Sequence, residues 1–478
     1  MRPRFLPILA LAFACGGCIV GPNYRRPPAP VPAVYKELSG WKIATPCDGA
    51  MRGPWWAIYR DPLLDGVERQ VNVNNQTVKE FEASYRGAVA LVRAAQSSFY
   101  PTLSAIPSVT RAGNGGVSGT TYSLQGNADW TPDVWGRIRR QVESQRAAAQ
   151  VSAADLANAQ LSAQATLATD YFNLRAEDSL TLLLRQTVAA FQRALQITEN
   201  QFRAGTISQA DVVTAEAQLQ SVVAQLAGVG ALRAQFEHAI AMLIGRPPAE
   251  LNVPFAPLPN NVPVVPPGLP STLLERRPDV AAAERAMQEE NALIGVAVAA
   301  YYPTVSLTAA AGFIGSPLGQ LFDVTNRVWS LGSSAGETLF EGGLRPAEVA
   351  AARANYDQAV ATYRQTVLTA FQQVEDELAA LRIFANQAVA QAAAVAAAQR
   401  AVQVLLNDYI AGTVVYTSVI TEQEQLLSDQ QSALSVLQER FVASVALIQA
   451  LGGGWNTSYL PTHALLHRAV RGPVPEHS

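Results

Sequence analysis

The amino-acid sequence predicts an α+β membrane protein made of two structural repeats, in which very long helices join short β-hairpins. The first observation is the repeat itself, because the Ala-Gly-Thr corner at Gly205 recurs at Gly412 among similar flanking residues. The second is helix length: neither Gly nor Pro interrupts residues 137–204 or 347–411, and either run would span roughly 100 Å as one helix. The third is a pair of strand-like stretches before each run, near the length that a tilted strand needs to cross a bilayer.

Both repeats have the same order of elements: a helix, a Tyr-Pro-Thr segment, a β-hairpin, a long helix, the Ala-Gly-Thr corner and a return helix. The first repeat is predicted over residues 61–245, with its hairpin at 101–132, its long helix at 137–203 and its return helix at 207–244. The second is predicted over residues 271–452, with its hairpin at 303–340, its long helix at 346–410 and its return helix at 414–451. Gly228 and Gly230 predict a bend or break in the first return helix.

Three segments lie outside the repeats. Residues 18–60 are predicted to form an extended N-terminal segment. The Pro-rich residues 246–270 can be neither helix nor central strand, so they link the two halves. Ser271 is then expected to cap a short helix, and Pro278 to begin the next one. The tail, residues 453–478, has no periodic pattern and is predicted to be mobile.

The N-terminus has the features of a secretory signal: two arginines, a short apolar run and then Cys-Gly-Gly-Cys. A bacterial lipoprotein signal ends at a cysteine that becomes the lipid-bearing first residue. Residues 1–17 are therefore predicted to be a lipoprotein signal peptide and Cys18 the lipidation site. Cys15 is a fallback site, and a plain secretory signal is the alternative. Cys47 would remain alone in the mature chain, which excludes an internal disulfide.

The strand-like stretches alternate weakly between apolar and polar residues, as barrel strands do. They are predicted at residues 102–111, 120–131, 304–313 and 327–340. Aromatic residues collect at their ends and predict a girdle at a membrane interface: Tyr100, Trp130, Trp135, Tyr301 and Tyr302. The alternative is a pair of hairpins on a soluble core.

Spanning strands would require that several subunits share one barrel. Four strands cannot close a barrel, and an open edge in lipid leaves backbone groups unsatisfied. Two chains would give eight strands and three would give twelve. The long helices would then continue below the barrel as a shared cylinder.

Composition and motifs exclude several classes of function. The net charge of −3 offers no basic face for nucleic acid. Although 49% of residues are hydrophobic, the apolar runs of the mature chain are mostly alanine and predict no membrane helix. The sequence has no paired metal spacing on a helix, no phosphate loop and no nucleophile elbow. We therefore expect no catalytic residues, no metal and no cofactor.

Several motifs match one known family in order along the chain. The N-terminal motif is Cys-Ile-Val-Gly-Pro-Asn-Tyr from Cys18, and the most diagnostic one is GLPSTLLERRPDVAAAE, which ends at Glu284. Further matches are Trp-Gly-Arg-Ile-Arg-Arg from Trp135, Phe-Glu-Gly-Gly from Phe340 and Leu-Gly-Gly-Gly-Trp up to Trp455. The chain thus resembles the TolC-like outer-membrane factors, specifically the NodT-type efflux lipoproteins of resistance–nodulation–division systems.

The resemblance implies a homotrimer with a twelve-stranded outer-membrane β-barrel, four strands from each chain. The barrel would continue into a twelve-helix periplasmic tunnel with an equatorial belt, which would include residues 18–60 and 246–270. The implied function is that of a passive, lipid-anchored duct in the cell outer membrane for drugs or other small toxic molecules. Its implied partners are a periplasmic membrane-fusion adaptor, outer-membrane lipid and, indirectly, a proton-driven inner-membrane pump.

The two Ala-Gly-Thr corners are the predicted functional sites. As helix–turn–helix corners they need only the tolerance of Gly for positive φ. The resemblance adds that such corners form the periplasmic tips at which the adaptor docks. The predicted docking residues are Ala204, Gly205, Thr206, Ala411, Gly412 and Thr413.

The resemblance also places a periplasmic gate at the second corner. Its positions Thr417 and Thr421 depart from the apolar and acidic residues that the family carries there. Tyr409 matches a tip tyrosine that hydrogen-bonds across the closed tip in the family. Charge at the gate is then expected from an acidic residue near the corners: Asp408, Glu422 or Asp211.

Two other functions stay open on the sequence. A type I duct for protein secretion shares the tunnel geometry. A periplasmic structural coiled-coil lipoprotein would use the same helices with soluble hairpins.

Overall fold

The computed structural model describes residues 19–38, 54–266 and 273–468 apart from residue 274. Cys15, Cys18, Cys47 and Ser271, for which the sequence makes predictions, lie outside these residues. The helices in chain order are α1 (Pro62–Asn74), α2 (Gln76–Ser97), α3 (Arg137–Arg203), α4 (Gln209–Leu243), α5 (Pro278–Ala299), α6 (Leu344–Ile410), α7 (Tyr416–Ala450) and α8 (His463–Arg468). The strands are β1 (Thr102–Asn114), β2 (Val117–Trp130), β3 (Thr304–Gly315) and β4 (Arg327–Gly336).

Two helical hairpins of equal dimensions dominate the fold. The long helices α3 and α6 have 67 residues each, and the return helices α4 and α7 have 35 each. At 1.5 Å per residue the long helices span about 100 Å and the return helices about half of that. The equal lengths agree with a chain that repeats one plan twice.

Each long helix has a different neighbour along each half of its length. Next to the corners, α4 packs on α3 and α7 packs on α6, while α7 also contacts α3 and joins the two hairpins. Next to the sheet, α2 packs on α3, and α5 packs between α3 and α6. A continuous layer of helices results, and its largest buried side chains include Tyr171, Phe172, Tyr363 and Phe441.

The helix ends follow from their sequences. Asp61 accepts hydrogen bonds from the backbone N–H groups of Leu63 and Leu64 and so caps α1. Pro278 is the first residue of α5, where its missing N–H has no cost. The predicted break in α4 is wrong: the helix continues through Gly228 and Gly230. A glycine inside a helix costs about 1 kcal/mol relative to alanine, and the packing of α4 on α3 outweighs that cost.

The strands form one antiparallel sheet in the order β1-β2-β3-β4. The first hairpin is longer than the sequence predicts, because its strands run to a two-residue turn at Gly115 and Gly116. Both glycines have positive φ, 58° and 88°, as a tight hairpin turn of this kind requires. Strand β4 ends at Gly336 rather than residue 340, so Phe340 lies beyond the sheet.

The C-terminal tail is ordered as far as residue 468, which contradicts the prediction of a mobile tail for that part. Leu460 and Leu466 are buried, the latter next to Val92 of α2 and Ala149 of α3. The side-chain amide of Gln150 also donates to the carbonyl of Pro461 at 2.9 Å. The tail has no periodic pattern of apolar residues, and the burial of these two leucines fixes it against the helices. Residues 469–478 lie outside the described chain.

Helices α6 and α7 each contain an 18-residue window that is long and apolar enough to cross a membrane, with mean hydropathies of 1.3 and 1.2. That the mature chain has no membrane helix stays a prediction. Length and composition alone are weak evidence for a membrane helix, and both helices are parts of the hairpins described above. The α6 window is 6% buried in the single chain, so it exposes apolar surface.

Residues 19–38, here called the N-terminal strap, run along the helices from the sheet towards the middle of α6. Near the sheet, Arg140 donates to the carbonyls of Val20 and Gly21 at 3.2 Å and to the Asn23 side chain at 2.9 Å. Farther along, the Glu375 carboxylate accepts from the backbone N–H groups of two strap residues. The strap therefore connects the two helical hairpins.

Candidate functional site

The two Ala-Gly-Thr corners have the same backbone geometry. Gly205 and Gly412 have φ values of 72° and 76°, in the left-handed region that favours glycine. In the first corner, the N–H of Thr206 donates to the carbonyl of Gln201 at 3.0 Å, and its hydroxyl donates to the same oxygen at 2.9 Å. In the second, Thr413 makes both bonds to the carbonyl of Asp408 at 3.0 and 2.9 Å. Each corner is a Schellman motif that a threonine hydroxyl reinforces.

The corners differ in how the next helix begins. Ser208 and Asp211 form a reciprocal capping box at the start of α4. Val415 precedes α7 without a side-chain cap, and Tyr416 follows it. The start of α7 is therefore held by packing rather than by a polar cap.

The six predicted docking residues are all exposed at one end of the molecule. No atom lies within 4 Å of the position that a Cβ would take at Gly205 or Gly412. The corners therefore offer free surface in the single chain. Their role in docking stays a prediction.

The predicted gate residue Tyr409 is buried between the two hairpins. Its hydroxyl donates to the side-chain oxygen of Gln201, at the end of α3. Its ring lies 5.1 Å from that of Tyr416, within a cluster that includes Val419 and Ala215. Burial, with Asp211 nearby, raises the pKa of Tyr409. A tyrosine hydroxyl is protonated at neutral pH even without this shift, so it can donate.

The other predicted gate residues have more access to solvent. Thr417 and Thr421 are exposed on α7, one turn apart, and the hydroxyl of Thr421 donates to the carbonyl of Thr417 at 3.0 Å. Asp408 and Glu422 are half-buried. The structure brings Gln201 and Tyr416 to Tyr409, although the sequence argument did not single them out as gate residues.

At the opposite end, the register of the sheet separates an apolar face from a polar face, because residues directly opposite each other share a face. The apolar face contains the rows Leu103–Ala128–Ala309–Leu331 and Ala105–Gly126–Ala311–Trp329. The polar face contains the rows Ser104–Asn127–Ala310–Ser330 and Thr102–Asp129–Thr308–Gly332. Ile106, Ile314 and Val328 interrupt the polar face, and Arg111, Arg327 and Ser333 interrupt the apolar face. Large side chains of the apolar face are exposed: Leu331 is 77% accessible.

The sheet also has two open edges. In the described part of the chain, β1 and β4 each pair with one neighbour. Their outer N–H and C=O groups have no strand beside them. An apolar, exposed face combined with open edges is not stable alone in water or in lipid.

The five predicted interface aromatics lie at the junctions between strands and helices. The Trp130 indole donates to the Phe99 carbonyl at 3.0 Å, and the Trp135 indole donates to the Pro303 carbonyl at 2.9 Å. Trp135 also stacks on Tyr302 at 4.9 Å. The remaining two differ in their contacts: Tyr100 is exposed and Tyr301 lies under the Arg345 guanidinium. These residues mark one level of the molecule, between the sheet and the helices.

Within the described residues, no group of three or more His, Cys, Asp or Glu side chains could hold a metal ion.

A four-stranded sheet with an exposed apolar face, joined to two long helical hairpins, indicates the class of protein: an outer-membrane channel protein whose helices extend into the periplasm. A family model described as "Outer membrane efflux protein" matches residues 68–246 and 269–453. This match covers well over half of the chain, which therefore belongs to the outer membrane efflux protein family.

Among its relatives is the "Solvent efflux pump outer membrane protein SrpC" of Pseudomonas putida, which is 30% identical over 483 residues, with 96% of this chain and 100% of the relative covered. The "Cation efflux system protein CusC" of Escherichia coli is 28% identical over 463 residues, covering 95% and 100%. A solved structure of the outer-membrane channel OprN superimposes with a TM-score of 0.85 at 30% identity and covers 92% of this chain and 100% of that one.

Proposed function

We propose that three copies of this chain form the outer-membrane duct of a tripartite efflux system. Their sheets would close a twelve-stranded barrel, and their helices would close a twelve-helix tunnel of about 100 Å. A periplasmic adaptor would dock at the corners, and a proton-driven inner-membrane pump would supply energy. The cargo would be drugs, solvents or other small toxic molecules, and the duct itself would catalyse no reaction.

The observation that carries this proposal is the sheet with one apolar face, one polar face and two open edges. Lipid can cover the apolar face, and water can fill a lumen lined by the polar face. Copies of the same sheet satisfy both edges without any other partner. The exposed apolar window of α6 supports the same assembly, because neighbouring chains would cover it.

A combined assay of assembly and conductance tests the proposal. We expect the purified protein to migrate as a heat-modifiable trimer and to open single channels in planar bilayers. Expression should restore solvent or antibiotic tolerance to a strain that lacks its own outer-membrane channel. A soluble monomer after Cys18→Ala, without conductance, would instead support a periplasmic structural lipoprotein.

Replacement of Gly412 by Val should impair export more than assembly. Valine at a φ of 76° strains the backbone by about 1–2 kcal/mol. Because no atom lies near this Cβ position, the damage stays at the corner. Trimer yield and solvent tolerance should be measured together. Gly228→Val, at an exposed helical glycine without close neighbours, is the control. Parallel losses of trimer and export would point to a purely structural corner.

Replacement of Tyr409 by Phe should increase leakage through the resting channel. The change removes the hydrogen bond to Gln201 that ties the two hairpins together, worth about 1 kcal/mol in each chain. The closed-state current in planar bilayers should rise. In Tyr416→Phe the packing stays similar, and the described residues show no hydrogen bond of the Tyr416 hydroxyl that could be lost. Equal currents in both variants would contradict a role for the Tyr409 bond in the gate.

A further inference from the structure

An apolar groove of about 630 Å³ lies on the apolar face of the sheet. Its floor consists of small side chains on the two central strands, such as Ala128 and Ala309. Leu103 stands on one side, and Trp329 and Leu331 stand on the other. These three side chains are exposed, so they form the walls of the groove.

We propose that this groove holds an acyl chain of the lipid attached to Cys18. The inference rests on the proposed function, since it requires that the apolar face meet the membrane and that Cys18 carry lipid. The groove suits a hydrocarbon chain better than a peptide, because the backbone groups of β2 and β3 are already paired with strands on both sides. A further copy of the chain would add strands at the open edges rather than on this face.

The start of the N-terminal strap places the lipid where the apolar face of the sheet begins, next to the first residues of β3. Ile19 lies so near Gly136 that a Cβ there would come within 3.0 Å of the Ile19 Cα, and the Val20 N–H donates to the Trp135 carbonyl at 3.1 Å. The Trp135 ring shares a small cleft with Val305, the first residue of β3 on the apolar face. The residue after the proposed anchor therefore lies where the apolar face begins.

The distance from the start of β3 to the groove also agrees with the thickness of one membrane leaflet. Ala309 lies five residues beyond Thr304, the start of β3, or about 16 Å along an extended strand. One leaflet of the hydrocarbon core is about 15 Å thick, half of the usual core of about 30 Å. Barrel strands tilt by about 35–45°, so 16 Å along the strand corresponds to about 12 Å of depth. An acyl chain that starts at the foot of β3 can therefore reach the floor of the groove within its own leaflet.

A photoreactive fatty acid tests the proposal in the full-length protein. Gram-negative cells that express the chain are fed a diazirine-labelled palmitate, which enters phospholipids and lipoprotein anchors, and are then irradiated. Mass spectrometry of the trimer should find the N-terminal peptide joined through its acyl chain to the groove residues of β1, β2, β3 or β4. Cross-links from this peptide to phospholipid alone, or to other surfaces alone, would overturn the proposal.

Two controls identify the source of the chain and its position. In Cys18→Ser the acyl cross-links at the groove should be lost; if they persist, the occupant is another lipid and the proposal fails. Ala309→Trp should fill the groove and remove the cross-links, whereas Ala310→Trp, on the polar face, should keep them. Equal yields in both variants would also overturn it. Conductance of the same preparation separates the two proposals, because a conducting trimer without these cross-links contradicts the groove alone.

Discussion

Leu331→Arg is expected to prevent stable insertion of the channel, whereas Ser330→Arg, one residue away, should leave insertion intact. Leu331 lies opposite Ala309 on the apolar face, near the middle of β4. Ser330 lies opposite Ala310 on the polar face. An arginine on the lipid face of a barrel costs about 2–4 kcal/mol near the bilayer centre. In the proposed trimer the cost would occur three times.

Fractionation and gel electrophoresis measure this difference. For Leu331→Arg we expect little heat-modifiable trimer in the outer-membrane fraction. Ser330→Arg should give trimer at the level of the unchanged protein and should alter the ion selectivity of the pore, because the new charges would face water. Equal trimer yields for the two variants would contradict the assignment of faces and, with it, the closed barrel.

The long helices and their corners could be predicted because the signals for them occur in both halves of the sequence. Uninterrupted runs without Gly or Pro predict the two long helices, and the recurrence at Gly205 and Gly412 predicts two equivalent corners. The register of the sheet could not be read in this way. Small residues such as Ala309, Ala310 and Ala311 follow one another in β3, so the sequence has no alternation of apolar and polar residues there. Only the strand pairing shows which face of the sheet each alanine occupies.

The sequence did not predict the order of the tail, the continuity of α4 or the partner of Tyr409, because each depends on packing against residues that are distant in the sequence. Leu460 and Leu466 belong to a tail without a pattern, and their burial depends on α2, α3 and α5, which are remote in sequence. Gly228 and Gly230 signal a break, but local propensity is weaker than the packing of a 35-residue helix. The partner of Tyr409 is similarly remote, since Gln201 belongs to the other repeat.

A network around Asp178 fixes the Pro-rich linker to the helices. Asp178 is fully buried and accepts from Arg175 at 3.1 Å and from Arg233 at 2.7 Å. It also accepts from the backbone N–H of Ala256 at 3.1 Å. The same arginines donate to two linker carbonyls, those of Pro254 at 2.6 Å and Val253 at 2.7 Å. Apart from a single 3-10 turn at Pro248–Glu250, the described part of this segment has no helix or strand, and it gains hydrogen bonds from side chains of α3 and α4.

Asp178→Ala should therefore destabilise the protein by about 3–5 kcal/mol, because it leaves the buried guanidinium of Arg175 without a carboxylate. Arg233 loses one of its two ion pairs and keeps the one with Glu237 at 3.1 Å. Removal of the acceptor of Ala256 should also loosen the linker. The denaturant midpoint of the purified trimer measures the first effect, and protease cleavage between residues 250 and 266 measures the second. Arg69→Ala is the control, since it breaks an exposed ion pair with Asp65, and solvent-screened pairs of this kind contribute little to stability. If both variants unfold at the same midpoint and resist cleavage equally, the linker is held by apolar packing of residues such as Val253 and Leu258 rather than by Asp178.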